Sequence, residues 1–263
     1  MSRSTARPPL AALPAALADG RITPKALRRD PRAGARALAA RWARRLERAT
    51  AERQRLAALF QPERDAWATG LSSVAGVDEV GRGPIAGPVV AAAVVFPGEQ
   101  FIPSLRDSKQ VRPRDRDVVY DAIMASGAAV GLGMADVGEI ERHNILGATR
   151  LAWARALSAL ASPPVLVLLD GNLPAPVTIP QRTMVKGDAR CASIAAASII
   201  AKVTRDRWMQ DADRRYPEYG FARHKGYRTV EHMRALRRWG PSPVHRQRYL
   251  PAELRQLSLR LSS

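Results

Sequence analysis

Apolar positions along the chain follow two periods. Over residues 33–60 (AGARALAARWARRLERATAERQRLAALF), Leu38, Trp42, Leu46, Leu56, Leu59 and Phe60 recur near helical spacing among arginines, which predicts a helix with one apolar stripe. From residue 74 the pattern changes. VAGVDEV, PVVAAAVVFP and AAVGLGMADV are β-rich and bounded by Gly, Pro or charged residues, so three successive strands in an antiparallel meander are expected. A helix follows over residues 143–161, then a buried strand in PVLVLLD ending at Asp170, then a short strand near TIPQRTMVKG. ASIAAASIIAKVTRDRWMQDADRRY predicts a long helix whose Ala/Ser face lets it sit close against a sheet, and residues 229–238 predict another helix. The pattern is that of a mixed α/β sheet, with no internal repeat.

Charge adds a partner class to this picture. Forty-two Lys and Arg against 24 Asp and Glu leave a formal charge of +18, which favours a polyanion, nucleic acid before an anionic membrane surface. Residues 1–72 are Ala/Arg-rich and carry 15 basic and 6 acidic residues, half of that excess. Their basic helical face is either a nucleic-acid contact or a solvated surface. No run of about 18 apolar residues exists to span a bilayer. PPLAALPAALA at residues 8–18 follows two arginines, but its prolines and weakly apolar alanines argue against a secretory leader. One cysteine, Cys191, and four scattered histidines exclude an intramolecular disulfide framework and a CxxC or HxxxH zinc pattern, and fit a reducing cytoplasm.

The candidate chemistry lies in acids at the ends of apolar segments. Asp78 and Glu79 end a strand ahead of Gly81, Arg82 and Gly83; ionised carboxylates there are costly unless paired or bound to a cation, and a hard divalent ion supplies that compensation. Strand alternation sends neighbours to opposite faces, so both acids reach one site only if the chain bends, as Gly81 would permit. Asp170 leaves a buried strand at a sheet edge, and Asp188 precedes the long helix, whose N-terminal dipole favours a carboxylate. Singly, each also fits an ordinary strand end, Asp-Gly turn or N-cap. Together they suggest a carboxylate cage for one or two Mg²⁺ or Mn²⁺ ions. Asp206 stands one turn after Lys202 and is expected in a structural ion pair.

DEVGRGPIAGPVVAAAVV, DSK, LLDGN, VKGDA, SIAAASIIAKVTRDR, YPEYGFARHKGY and GP..VHR occur in the order and spacing of ribonuclease HII, over roughly residues 73–246. The N-terminal segment, with DPRAGARAL and its basic helix, resembles more loosely the extension of some bacterial members. The resemblance implies a ribonuclease H-like fold: a mixed five-stranded sheet flanked by helices, with a C-terminal helical part covering the substrate groove and an N-terminal helical extension. The implied division is a 1–72 extension, a 73–250 catalytic domain and a 251–263 tail. Asp78, Glu79, Asp170 and Asp188 match the family's metal-site acids. The implied reaction hydrolyses the RNA strand of RNA/DNA hybrids and incises DNA 5′ of embedded ribonucleotides, leaving 3′-hydroxyl and 5′-phosphate ends.

Choosing RNA over DNA requires contact with the 2′-hydroxyl. The Gly81, Arg82, Gly83 loop lets backbone approach the sugar, and Tyr227 matches the family's tyrosine that stacks at the RNA/DNA junction; by itself a lone tyrosine is as readily a half-buried aromatic. Lys109, Lys186, His224 and Lys225 are implied phosphate or sugar contacts. Two departures stand near them: Arg106 where Asn often precedes DSK, and Arg228 where Gly commonly follows HKGY. The nearest enzymatic alternative, a ribonuclease HIII, is disfavoured by the GRG loop with HKGY, and a protein binding by charge alone has no need of four acids. At the C-terminus, Gln256, Leu257, Leu259 and Leu261 of QLSLRL resemble the short peptide that docks bacterial replication proteins on the sliding clamp; the same leucines also suit a closing strand or helix.

Overall fold

A computed structural model describes residues 8–255. The QLSLRL segment, with Gln256, Leu257, Leu259 and Leu261, lies outside the described residues. The chain forms two compact units that divide between Arg55 and Leu56.

In the first unit, α1 (Leu13–Ala18), α2 (Pro24–Arg28) and the start of α3 (Ala33–Leu59) gather Leu13, Leu17, Leu27, Ala35 and Ala39 into a small core, with Leu38 and Trp42 against it. Thr23 caps α2 by accepting a hydrogen bond from the Ala26 amide at 3.2 Å. The stripe expected along α3 is used only at its ends. Leu46 is 61% exposed, whereas Leu56, Leu59 and Phe60 are buried in the second unit's core.

The second unit holds a five-stranded sheet in the order β3-β2-β1-β4-β5. The strands are β1 (Val74–Val80), β2 (Val89–Val95), β3 (Ala129–Ala135), β4 (Leu166–Asp170) and β5 (Gln181–Met184). β1, β2 and β3 pair antiparallel, as the meander predicts, while β4 joins β1 and β5 joins β4 in parallel. Between β2 and β3 runs α5 (Pro113–Ala125), which the hydrophobic pattern did not announce. α4 (Gln61–Ala68) precedes β1, and α8 (Phe221–His224) and α9 (Val230–Trp239) follow the long helix α7 (Ala192–Arg215).

The two faces of the sheet are covered differently. On one, α6 (Val137–Ser158) buries Ala148, Ala152, Trp153 and Ala156 against Val77, Ala91 and Leu169. The helix starts six residues before the expected 143 and breaks at Asn144 (φ 58°), whose side chain caps the second half by accepting from the Leu146 and Gly147 amides. On the other face α7 packs a run of alanines, Ala192, Ala195, Ala196, Ala197 and Ala201, against β1 and β2. The approach is a backbone contact: a β-carbon on Gly76 would lie 2.2 Å from Ser193 C and Ile194 N. Glycine is therefore required at the centre of β1.

The start of α7 is pinned by α4. Glu63, 1% exposed, accepts hydrogen bonds from the Ser193 amide (2.7 Å), the Ser193 hydroxyl (2.7 Å) and the Cys191 thiol (3.1 Å). A carboxylate from another element thus serves orphan donors at a helix N-terminus. Glu63→Ala leaves those donors buried without their acceptor and should cost about 1–3 kcal/mol in denaturant unfolding; a loss below about 0.5 kcal/mol would contradict this capping role.

Candidate active site

Three acids converge where β1, β4 and the approach to α7 meet. Because Val77 pairs with Leu169 in the parallel register, Asp78 and Asp170 follow as neighbours, and both share the face of Gly76 and Leu168 that looks toward α7. Asp188 enters from a single 3₁₀ turn, Gly187–Ala189, ahead of α7. Carboxylate oxygens of Asp78, Asp170 and Asp188 lie within 4.8 Å of one another, and Asp78 and Asp188 are each only 6% exposed.

Local backbone chemistry places them. Asp78 Oδ1 accepts from the Glu79 amide at 2.7 Å, and Asp170 Oδ1 accepts from the Gly187 amide at 2.7 Å, tying β4 to the turn that carries Asp188. Lys186, just before that turn, is left-handed (φ 56°) and exposed. The charges are in conflict. Burial first, then Glu79 and Asp170, push the Asp78 carboxyl well above the usual carboxylate range, while Ser198 on α7, whose hydroxyl donates to Ser108 at 3.0 Å, opposes the rise. Asp188 is raised too, by burial and then by Asp107 and Asp170. Lys109 relieves part of this, with its ammonium 3.6 Å from Asp188 and 3.9 Å from Asp107. Burial works against the Lys109 charge, but Asp107, Asp188 and Asp78 hold its pKa above the ordinary lysine value.

Three clustered carboxylates at the end of a sheet, with two of them buried and short of positive charge, form the donor set that a hard divalent cation takes. The residues present fit such an ion.

Glu79 is placed differently from its neighbour. β1 stays paired with β2 through Val80, so no bend occurs at the acids, and alternation turns Glu79 toward the α6 face. There it accepts from Trp153 Nε1 at 3.0 Å and from Arg82 Nη1 at 3.2 Å. Burial raises its pKa against the pull of Arg82. Asp78, Asp170 and Asp188 make the tight group, and Glu79 sits beside it. Lys202 donates to Asp206 at 2.7 Å, and Arg116 approaches the same acid at 3.8 Å, the ion pair expected from the sequence.

Next to Glu79 runs the Gly81, Arg82, Gly83 segment. Arg82 and Gly83 are exposed, and a β-carbon on Gly83 would sit 3.8 Å from the ring of Tyr227, itself 44% exposed. Gly81 adopts φ 96°, and a β-carbon there would strike Arg205 Nε at 2.3 Å. Lys225 is half-buried and left-handed (φ 51°).

The structure departs from expectation at His224. It is 8% exposed, its ring stacks on His232 at 4.2 Å, and both nitrogens face backbone: Nδ1 accepts from the Gly226 amide at 3.2 Å, and Nε2 is 2.8 Å from the Tyr219 carbonyl. It holds the HKGY turn from within. His232 and His245 extend this support. The Ser242 amide donates to His245 Nδ1 at 2.9 Å, which leaves the His245 proton on Nε2, facing His232 Nε2 at 2.9 Å; His232 Nδ1–H then reaches the Tyr227 carbonyl at 2.9 Å. Of two buried arginines nearby, Arg205 donates to the Lys225 carbonyl in the same turn, and Arg246 donates to carbonyls of residues 81–87. The sequence strings VTRD and VHR contain them, but nothing in the hydrophobic pattern distinguishes a buried arginine from a solvated one.

Comparison with known proteins covers both parts of the chain. The family model for Ribonuclease HII matches residues 75–251, and that for the Ribonuclease HII N-terminal domain matches residues 19–67. Ribonuclease HII of Geobacillus kaustophilus is 50% identical over 225 residues, 86% of this chain and 86% of that protein. Ribonuclease HII of Geotalea uraniireducens is 52% identical over 180 residues, 68% of this chain and 83% of that protein. The crystal structure of ribonuclease H2 from Pyrococcus horikoshii superposes with a TM-score of 0.59 at 25% identity, covering 73% of this chain and 99% of that one. No helix among the described residues is long and apolar enough to cross a membrane.

The carboxylate conflict predicts a trade between stability and activity. Asp170→Asn keeps an oxygen for the Gly187 amide while removing one of the mutually repelling charges. In chelator it should melt at or above the wild type, by roughly 1 kcal/mol of unfolding free energy, and added Mg²⁺ should raise the melting temperature of the wild type more than that of the variant. A variant clearly less stable in chelator would contradict the repulsion.

The histidine pair predicts a pH dependence. Burial holds His232 down to about 4 and His245 to about 3, from the ordinary histidine value of about 6.5. Because the unfolded chain binds these protons first, the contribution is complete above pH 6.5 and declines as pH falls toward 4, by up to about 1.4 kcal/mol per pH unit per proton. His245→Gln should flatten the fall in unfolding free energy across that window; an unchanged slope would contradict the assignment.

Proposed function

The chain belongs to the ribonuclease HII family, hydrolytic nucleases of RNA/DNA hybrids, and from that premise we propose that it also incises DNA duplexes on the 5′ side of embedded ribonucleotides. The observation that carries this reading is the convergence of Asp78, Asp170 and Asp188 beside a loop, Arg82–Gly83, that lies under an exposed tyrosine.

Asp78, Asp170 and Asp188 would hold Mg²⁺ or Mn²⁺, one or two ions, with Glu79 adjoining. A divalent cation bound there supplies Lewis-acid polarisation of the scissile phosphate and a water acidic enough to act near neutral pH. The chain's own groups do the rest. Lys109, Lys186 and Lys225, exposed or half-buried, offer charge to flanking phosphates. Glu79, fixed by Trp153, holds the Arg82 guanidinium beside the acid cluster. Gly83, with no side chain, lets a sugar edge come against main-chain amides, and the Tyr227 ring offers a stacking face to the next nucleotide. Attack by water on the phosphate, with the P–O3′ bond breaking and the departing 3′-oxygen taking up a proton, gives products with 3′-hydroxyl and 5′-phosphate ends. We assign this work to residues 73–250, with residues 1–72 as a basic extension whose last part, from Leu56 onward, belongs to the second unit's core.

The test is strand cleavage of a DNA duplex with one ribonucleotide, with Mg²⁺ or Mn²⁺ and with chelator. The expected result is metal-dependent incision 5′ of the ribonucleotide, reduced by a factor of at least about 10³ in Asp170→Asn. Cleavage of continuous RNA/DNA hybrid with no incision at a single ribonucleotide would remove the finer claim and leave the family activity standing.

A further inference from the structure

Arg246 and Arg205 are both fully buried, and none of the ion pairs among the described residues includes either one. Their partners are backbone carbonyls. Arg246 donates from Nε to Gly87 O (2.8 Å), from Nη1 to Arg82 O (3.1 Å) and Pro84 O (2.8 Å), and from Nη2 to Gly81 O (2.6 Å) and Gly87 O (2.6 Å). All five guanidinium N–H groups are thereby used on a single loop. Arg205, projecting from α7, donates to Pro88 O (2.9 Å), Ala86 O (3.0 Å) and Lys225 O (3.0 Å), which joins the far end of that loop to the HKGY turn. Burial lowers both pKa values, to about 9 for Arg246 and about 10 for Arg205, so both remain protonated at neutral pH.

The geometry has a consequence on the opposite side of the loop. In a trans peptide the carbonyl and the following N–H point in opposite directions, and no cis bond occurs here. With the carbonyls of Gly81 and Arg82 drawn inward onto Arg246, the amides of Arg82 and Gly83 are turned outward. None of the described hydrogen bonds uses either amide, and both residues are exposed. The next inward carbonyl, Pro84 O, precedes an amide that is already taken, since Ile85 N donates to Gly226 O at 2.9 Å.

We infer that Arg246 is a positioning residue for ribonucleotide selectivity: its guanidinium sets the peptide planes of residues 81–83 so that two adjacent amides face the substrate sugar. This rests on the reading above, in which that loop meets the ribose. Arg246 touches no substrate. Its effect is on the direction of donors that would cost the loop entropy to align one by one. Lysine cannot replace it, because a single ammonium cannot span four carbonyls.

The test measures binding, in an Asp170→Asn background that does not cut. The affinity for a duplex with one ribonucleotide is compared with that for its all-deoxy twin in Mg²⁺, with and without Arg246→Lys. The parent should prefer the ribonucleotide, and the double variant should lose at least about fivefold of that preference while affinity for the all-deoxy duplex changes little. A purely structural role would change both affinities together. A folded double variant with an intact preference would overturn the inference alone, and a parent with no preference would overturn it together with the proposed contact to the ribose. Should Arg246→Lys fail to fold, amide resonances of Arg82 and Gly83 in the Asp170→Asn protein decide the matter. They should shift on adding the ribonucleotide duplex and not the all-deoxy one; equal shifts would contradict the inference.

Discussion

The backbone contact between α7 and Gly76 of β1 is the constraint on which the rest of the second unit depends. A helix lies this close to a sheet only where both surfaces are small, and the sequence provides glycine in the strand and a run of alanines and serines on the helix. Once α7 is seated, the positions along it take fixed roles at successive turns. Ser193 meets Glu63, Ser198 faces Asp78, Lys202 pairs with Asp206, and Arg205 reaches the loop carbonyls. One helix thus joins the α4 segment, the acid cluster and the loop beside it.

The same seating creates an electrostatic conflict. Asp78 points into the face that α7 covers, with Asp170 at its side and Asp188 delivered by the turn before α7. In water three carboxylates would separate; here the strands and the Asp170–Gly187 bond keep them within 4.8 Å. Lys109 is the nearby cation, and its side chain is largely exposed, so solvent weakens its compensation. A site that is unfavourable when empty gains most from a divalent ion, which is how a rigid fold converts strain into affinity. The recognition loop is handled in the opposite way. Its carbonyls at Gly81, Arg82, Pro84, Ala86, Gly87 and Pro88 are taken by buried arginines, while the outward amides of Arg82 and Gly83 are left available.

Much of this was legible before the structure. The strands, the long small-residue helix and the three aspartates at segment ends follow from periodicity and from the cost of burying charge, and the order of the DEVGRG, LLDGN, VKGDA and HKGY strings carries the family. Several features were not. Alternation alone predicts that Glu79 leaves Asp78, but only the continued β1–β2 pairing through Val80 shows that no bend intervenes. α5 carries only a weak apolar stripe, with Val119 and Ile123 as its buried residues, and so gives little periodic signal. His224 stands among charged and aromatic residues that look like a contact surface, yet its nitrogens are consumed by Tyr219 and Gly226. Arg205 and Arg246 belong to a basic chain, and their burial depends on carbonyls from residues more than a hundred positions away. Long-range backbone acceptors leave no trace in local sequence.

The most direct measurement is the anomalous diffraction of Mn²⁺ in crystals of the protein. The account predicts a peak at coordination distance from carboxylate oxygens of Asp78, Asp170 and Asp188 together, lost in Asp170→Asn. A protein that cleaves its substrate but shows no ion among these three aspartates, or binds it elsewhere, would contradict the claim that their convergence is the catalytic centre.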